Sequence, residues 1–159
     1  MKEIAELAGQ LVKAFAAVGK TIATAESCTG GLIAASITEI AGSSAVLAGG
    51  CVSYTEAVKH NVLGVSNEIL ERDTAVSESC AKAMAEGARK LFETDVAVSA
   101  TGYAGPGGGT ESEPVGTVYL ARATKDGTIC RRIYLPEATR AEVREAAVKT
   151  ALQMALEII

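Results

Sequence analysis

Thr21-Ile22-Ala23-Thr24-Ala25-Glu26-Ser27-Cys28-Thr29-Gly30-Gly31 is where the pattern of this chain changes period. The β-branched residues Thr21, Ile22 and Thr24 read as a strand, whereas Ile33, Ile37 and Ile40 beyond the glycines fall at helical spacing. Ser27 and the Gly30-Gly31 pair therefore sit on a strand-to-helix turn. The first turn of a helix leaves backbone N–H groups unpartnered and favours negative charge. A serine hydroxyl beside such groups places a nucleophile next to a site for developing negative charge. On this reading the N–H groups near Thr29, Gly30 and Gly31 are the expected oxyanion donors.

Working outward, the apolar residues Ile4, Leu7, Leu11 and Phe15 predict a helix before this strand, stopped at Gly19. After it, a helix is expected from Leu32 to Ile40 and a strand from Val46 to Tyr54. Gly49-Gly50 marks a bulge or a close backbone approach in that strand. Thr55 caps a short helix ending near Leu63, and Ser77 caps a longer one from Glu78 to Phe92. Asp95–Ala100 is an apolar strand suited to a central position. A glycine-rich loop, Thr101 to Pro114, follows it. Val115–Ala123 and Ile129–Leu135 flank Lys125-Asp126-Gly127-Thr128, a hairpin signature. Thr139-Arg140-Ala141-Glu142 is a capping box opening the last helix. Helices alternating with strands and then a hairpin predict a three-layer α/β/α fold with a mixed sheet.

The 159 residues fit a single domain spanning 1–159, and the composition, 48% hydrophobic with a net charge of −4, is that of a soluble globular protein. With no basic run, neither nucleic acid nor an anionic membrane is an expected partner. No stretch approaches membrane-spanning length. The N-terminal segment has acidic residues and no continuous apolar block, so it does not read as a signal peptide. The four cysteines, at 28, 51, 80 and 130, form no C-x-x-C pair and His60 is the only histidine. Reduced thiols in a cytoplasmic protein without a metal centre are expected.

The glycine-rich loop lacks both the P-loop pattern and the dinucleotide fingerprint. Its density of glycine at the end of a buried strand suggests the wall of a ligand site. Three partners for Ser27 come into view. His60 would be needed for a Ser-His-Asp triad. Lys59, near the start of its helix and among Val58, Val62 and Leu63, is in surroundings that lower a lysine pKa, as a Ser-Lys enzyme requires. Tyr54, at the strand end, could relay a proton or hold the lysine. Lys59 also reads as a solvated surface residue beside Glu56. Arg140 and Arg144 share a helix face and offer either surface ion pairs or a forked phosphate clamp. The residues alone stop at a Ser-Lys hydrolase or a phosphate-ligand binder.

An ordered set of motifs goes further. TAESCTGG (Thr24–Gly31), GSS (Gly42–Ser44), Gly49–Lys59 with its tyrosine and lysine, LGV (Leu63–Val65), AVS (Ala75–Ser77), TG-x-AGP-x-GG (Thr101–Gly109) and PVGTV (Pro114–Val118) resemble the CinA C-terminal domain family along nearly the whole chain. Stand-alone versions are nicotinamide-nucleotide amidohydrolases, and the chain is expected to be of that kind, without the pyrophosphatase-type domain of longer family members. The resemblance implies a three-layer fold with a mixed five-stranded sheet and hydrolysis of nicotinamide mononucleotide to nicotinate mononucleotide and ammonia. It assigns Ser27 as nucleophile, Lys59 and Tyr54 as its companions, and Thr101, Gly102, Gly105, Arg140 and Arg144 to substrate binding, with no cofactor and no metal. A small-molecule substrate and further copies of the chain, as a dimer or higher oligomer, are the expected partners. A pyridine-nucleotide-binding regulatory module is the alternative. Glu137-Ala138-Thr139, Glu113 and Tyr103 depart from the usual family pattern.

Overall fold

The computed structural model describes residues 1–159. The elements are α1 (Lys2–Val18), β1 (Ile22–Glu26), α2 (Leu32–Thr38), a 3-10 turn (Ser43–Ala45), β2 (Leu47–Val52), α3 (Glu56–Leu63), α4 (Asn67–Arg72), α5 (Glu78–Phe92), β3 (Val96–Gly102), β4 (Thr117–Thr124), β5 (Gly127–Tyr134) and α6 (Arg140–Leu156). They form one five-stranded sheet in the order β2-β1-β3-β4-β5. β1 runs parallel to β2 and β3, and β4 is antiparallel to both β3 and β5. The sheet is therefore mixed, as the hairpin required.

Two apolar layers cover it. Ile4, Leu11 and Phe15 of α1, Ile33 and Ile37 of α2, and Val148 and Leu152 of α6 pack with Ile22, Val96 and Val98. Met84 and Ala88 of α5 and Leu63 of α3 pack on the other side with Ala23, Ala25 and Ala97. β1 is buried throughout and β3 along all but its last residue, because helices cover both faces. Phe15, Ile33 and Leu152 have no exposed surface. Burial of side chains this size contributes about 1.5–3 kcal/mol each relative to exposure.

The caps form where the sequence placed them. Thr55 accepts from the N–H of Val58, Ser77 from that of Cys80, and Thr139 and Glu142 close a reciprocal capping box. Several boundaries differ, and one element is new. α2 ends at Thr38 rather than Ile40. β2 ends at Val52, so Ser53 and Tyr54 belong to the turn after it. The hairpin turns on Lys125-Asp126 alone, and Gly127, with φ +136°, opens β5. Helix α4, capped by the Ser66 hydroxyl, was not expected; its apolar content is too short to show a period.

Two glycines set distances that the site depends on. A Cβ at Gly50 would lie 2.2 Å from Thr24 Oγ1, so Gly50 lets β2 approach β1 closely. A Cβ at Gly87 would lie 1.9 Å from the Leu63 carbonyl oxygen, so α3 rests directly on the backbone of α5. That second approach fixes the helix that carries Lys59.

Candidate active site

Ser27 leaves β1 at the carboxyl edge of the sheet, between β2 and β3. The chain passes from β1 to β2 on one side and from β3 to β4 on the other, the position where open α/β sheets form a crevice. The Ser27 N–H donates to the Ala100 carbonyl at 2.9 Å, and its carbonyl accepts from the Gly30 N–H at 3.0 Å. The residue is thus clamped between β3 and its own turn, only 8% exposed.

Lys59 comes from one turn inside α3 and is 2% exposed. Its Nζ lies 2.9 Å from Ser27 Oγ, 2.7 Å from the Ser53 carbonyl and 3.5 Å from the Tyr54 carbonyl. Burial holds this amine below the usual lysine range; the nearby Cys80 and Cys28 thiols and Glu56 oppose that shift only in part. A neutral amine suits the geometry. Its two hydrogens can point at the carbonyls while its lone pair accepts the Ser27 proton. The Cys28 thiol beside the serine is pushed up to about 11 by burial, so it stays protonated and does not compete as a nucleophile.

The expected role of Tyr54 is corrected. Its carbonyl, not its phenol, faces Lys59. The ring is 59% exposed, and the hydroxyl accepts from Arg140 Nη2 at 3.4 Å. β2 stops two residues before Tyr54, and the side chain reaches Arg140 at the cavity wall rather than Lys59. His60 is not part of the constellation. Its Nδ1 lies 2.7 Å from the Val65 carbonyl and its side chain does not line the cavity.

The expected oxyanion donors also need correction. The Glu26 carboxylate, 1% exposed, accepts from the N–H groups of Ile33 at 2.8 Å and Ala34 at 3.0 Å. It fills the helix N-terminus that was expected to face a ligand, as a buried anion does at such a site. The Gly30 N–H is already engaged by Ser27, and Thr29, Gly30 and Gly31 do not line the cavity. The N–H of Cys28, which does line it, donates to no other residue. Glu26 stood in the sequence as the acid before the serine. Nothing in its spacing revealed that it reaches forward to cap α2.

The cavity has a volume of about 400 Å³, large enough for a small polar ligand. Thr101, Gly102 and Gly105 line it, as does Arg140. The Thr101 hydroxyl donates to the Ala75 carbonyl at 2.7 Å, so it shapes the wall rather than offering a free donor. A Cβ at Gly102 would lie 2.5 Å from the Thr117 carbonyl oxygen. Arg140, the first residue of α6, donates from Nη1 to the Gly105 carbonyl at 2.7 Å and remains exposed at the rim. Arg144 does not join it as a clamp. It donates to the carbonyls of Cys28 at 3.1 Å and Thr29 at 3.2 Å, binding the Ser27 turn to α6. Glu113 lies outside the cavity, accepting from the Tyr119 hydroxyl at 2.6 Å and from Arg132 at 3.3 Å. Glu56 and Tyr103 also line the cavity; the sequence reading treated the first only as an offset for Lys59. No group of three or more His, Cys, Asp or Glu side chains is placed to hold a metal ion.

Fold and site together define an α/β/α protein with a buried serine–lysine pair at the carboxyl edge of a mixed sheet. The chain belongs to the CinA family: a sequence model of the CinA C-terminal domain matches residues 4–159. A CinA-like protein of Mycolicibacterium gilvum is 51% identical over 136 residues, which are 86% of this chain and 32% of that protein. A CinA-like protein of Syntrophus aciditrophicus is 47% identical over 84% of this chain and 32% of its own length. The chain thus spans about a third of these curated relatives. Among solved structures, the competence/damage inducible protein CihA from Agrobacterium tumefaciens superposes with a TM-score of 0.95 at 45% identity, covering 98% of this chain and 94% of that one. A CinA superfamily protein from Klebsiella pneumoniae superposes at 0.92 with 35% identity, covering 97% and 96%. No helix is long and apolar enough to cross a membrane.

Proposed function

We propose that the chain is an amidase that converts nicotinamide mononucleotide and water to nicotinate mononucleotide and ammonia, acting as a cytoplasmic homo-oligomer without a cofactor. The observation that carries this reading is the 2.9 Å contact between the buried Lys59 Nζ and Ser27 Oγ at the foot of the cavity. Neutral Lys59 takes the Ser27 proton as Oγ attacks the carboxamide carbon. The carbonyl oxygen becomes an oxyanion, for which the unengaged N–H of Cys28, the residue after Ser27, is the candidate donor. The tetrahedral adduct collapses, the C–N bond breaks, and the lysine ammonium returns its proton to the departing nitrogen as ammonia forms. Water, deprotonated by the same amine, then attacks the acyl-enzyme and releases the carboxylate product with Ser27 restored. Arg140 at the rim is suited to the 5′-phosphate, since it is the guanidinium of the cavity wall and stands at the N-terminus of α6. Holding the phosphate orients the amide for attack.

The test is ammonia release from a panel of pyridine amides with and without the 5′-phosphate. Turnover of the mononucleotide supports the reading. Tight binding without ammonia would instead make the chain a regulatory module. Within the same panel, Arg140→Ala is expected to lower kcat/KM for the mononucleotide about 10- to 150-fold, the loss of one charge-assisted contact of about 1.5–3 kcal/mol. The dephosphorylated riboside should lose far less. Equal losses on both would make Arg140 a support of the Gly105 loop and move the phosphate elsewhere.

A further inference from the structure

Only one carboxylate lines the cavity, that of Glu56, facing the same space as the single guanidinium, Arg140. Glu56 opens α3 with its side chain exposed and takes part in no ion pair. It stands three residues before Lys59 on the same helix, and residues at that spacing are surface neighbours. Its charge is felt at the lysine amine. Glu56 therefore lines the cavity from the helix that carries Lys59, and Arg140, tied to the Gly105 carbonyl, lines it from α6. A carboxylate here is unhelpful for attack on a neutral amide, because it stabilises the ammonium form of the base. It is useful if the reacting ring is itself a cation.

We propose that Glu56 is a specificity-determining residue whose carboxylate selects a positively charged, N-ribosylated pyridinium ring over neutral pyridine amides. The inference rests on the amidase reading above and names which feature of that substrate the site recognises. The cavity would then match a zwitterion, with carboxylate toward the ring and guanidinium toward the phosphate.

Calorimetric binding to the inactive Ser27→Ala protein, alone and combined with Glu56→Gln, tests this. The probes are oxidised nicotinamide mononucleotide and its reduced form, which keeps amide, ribose and phosphate but has an uncharged ring. Glu56→Gln should weaken the oxidised ligand about 3- to 5-fold at low salt, the upper part of the range of a solvent-exposed charge pair. The reduced ligand should change by less than about 1.5-fold, and the difference should shrink as ionic strength rises. Equal weakening of both ligands, or no change for the oxidised one, overturns the role of Glu56 and leaves the amidase reading standing. If Ser27→Ala binds neither nucleotide, the substrate reading falls, and this inference with it.

Discussion

Ser27→Ala is expected to lower kcat for ammonia release by at least about 1,000-fold, while mononucleotide affinity and thermal stability stay close to those of the parent. A residue that forms a covalent bond with substrate contributes only to the chemical steps, and removal of such a nucleophile costs several orders of magnitude. The fold has little to lose. The turn is held by backbone contacts, from the Ser27 N–H to Ala100 and from Gly30 to the Ser27 carbonyl, and by Arg144 on the carbonyls of Cys28 and Thr29. None of these uses the hydroxyl. Alanine leaves Lys59 its two carbonyl partners. An alanine protein that turns over at the parent rate would show that Ser27 is not the nucleophile; a cysteine at 28 is a poor substitute with its thiol pushed up to about 11.

Lys59→Met should produce a loss of similar size, and His60→Gln almost none. Methionine fills the buried volume without a base. His60 is hydrogen-bonded to Val65 away from the cavity. Because the base must be neutral, activity should rise with pH through the depressed lysine pKa and level off above it. The same shift has a consequence for stability. Between the folded value and the ordinary lysine value, the unfolded chain binds the proton and the folded chain does not. Burial of the amine therefore costs stability most fully below the folded pKa, and the cost is relieved as pH rises toward the ordinary lysine value. Lys59→Met should remove that increment, so denaturation midpoints of parent and variant should converge as pH rises through that window. A Lys59→Met protein of normal activity beside a dead His60→Gln protein would overturn the serine–lysine assignment.

Glu26 shows how a site can differ from its local pattern. A strand, a hydroxyl, two glycines and a helix suggested free N–H groups at the turn. The structure fills α2 with an internal carboxylate instead. An unpartnered helix end at this depth would be costly, and a buried carboxylate needs donors of its own. Each satisfies the other. Within this turn, Cys28 is then the residue that lines the cavity with its N–H unengaged.

By itself the sequence determined what depends on local periodicity and backbone chemistry. The switch from alternating to helical spacing around Ser27, the caps at Thr55, Ser77 and Thr139, and the Asp-Gly hairpin are short-range effects. They were enough for the layered α/β/α class and its mixed sheet. The motif order was enough for the family. Which side chains meet was decided by tertiary structure. Lys59 lies 32 residues from Ser27 in the chain, and nothing local distinguishes a solvated lysine from one at 2% exposure. That choice is made where α3 settles on Gly87 of α5 and β2 settles through Gly50 against β1. The same packing separated two arginines that the helical period had put on one face: Arg140 reaches the rim, and Arg144, one turn further on, is drawn to the carbonyls of the turn after Ser27. A period places residues on a face of a helix. Only the neighbours that the fold brings against that face decide whether a charge meets solvent, a backbone or a ligand.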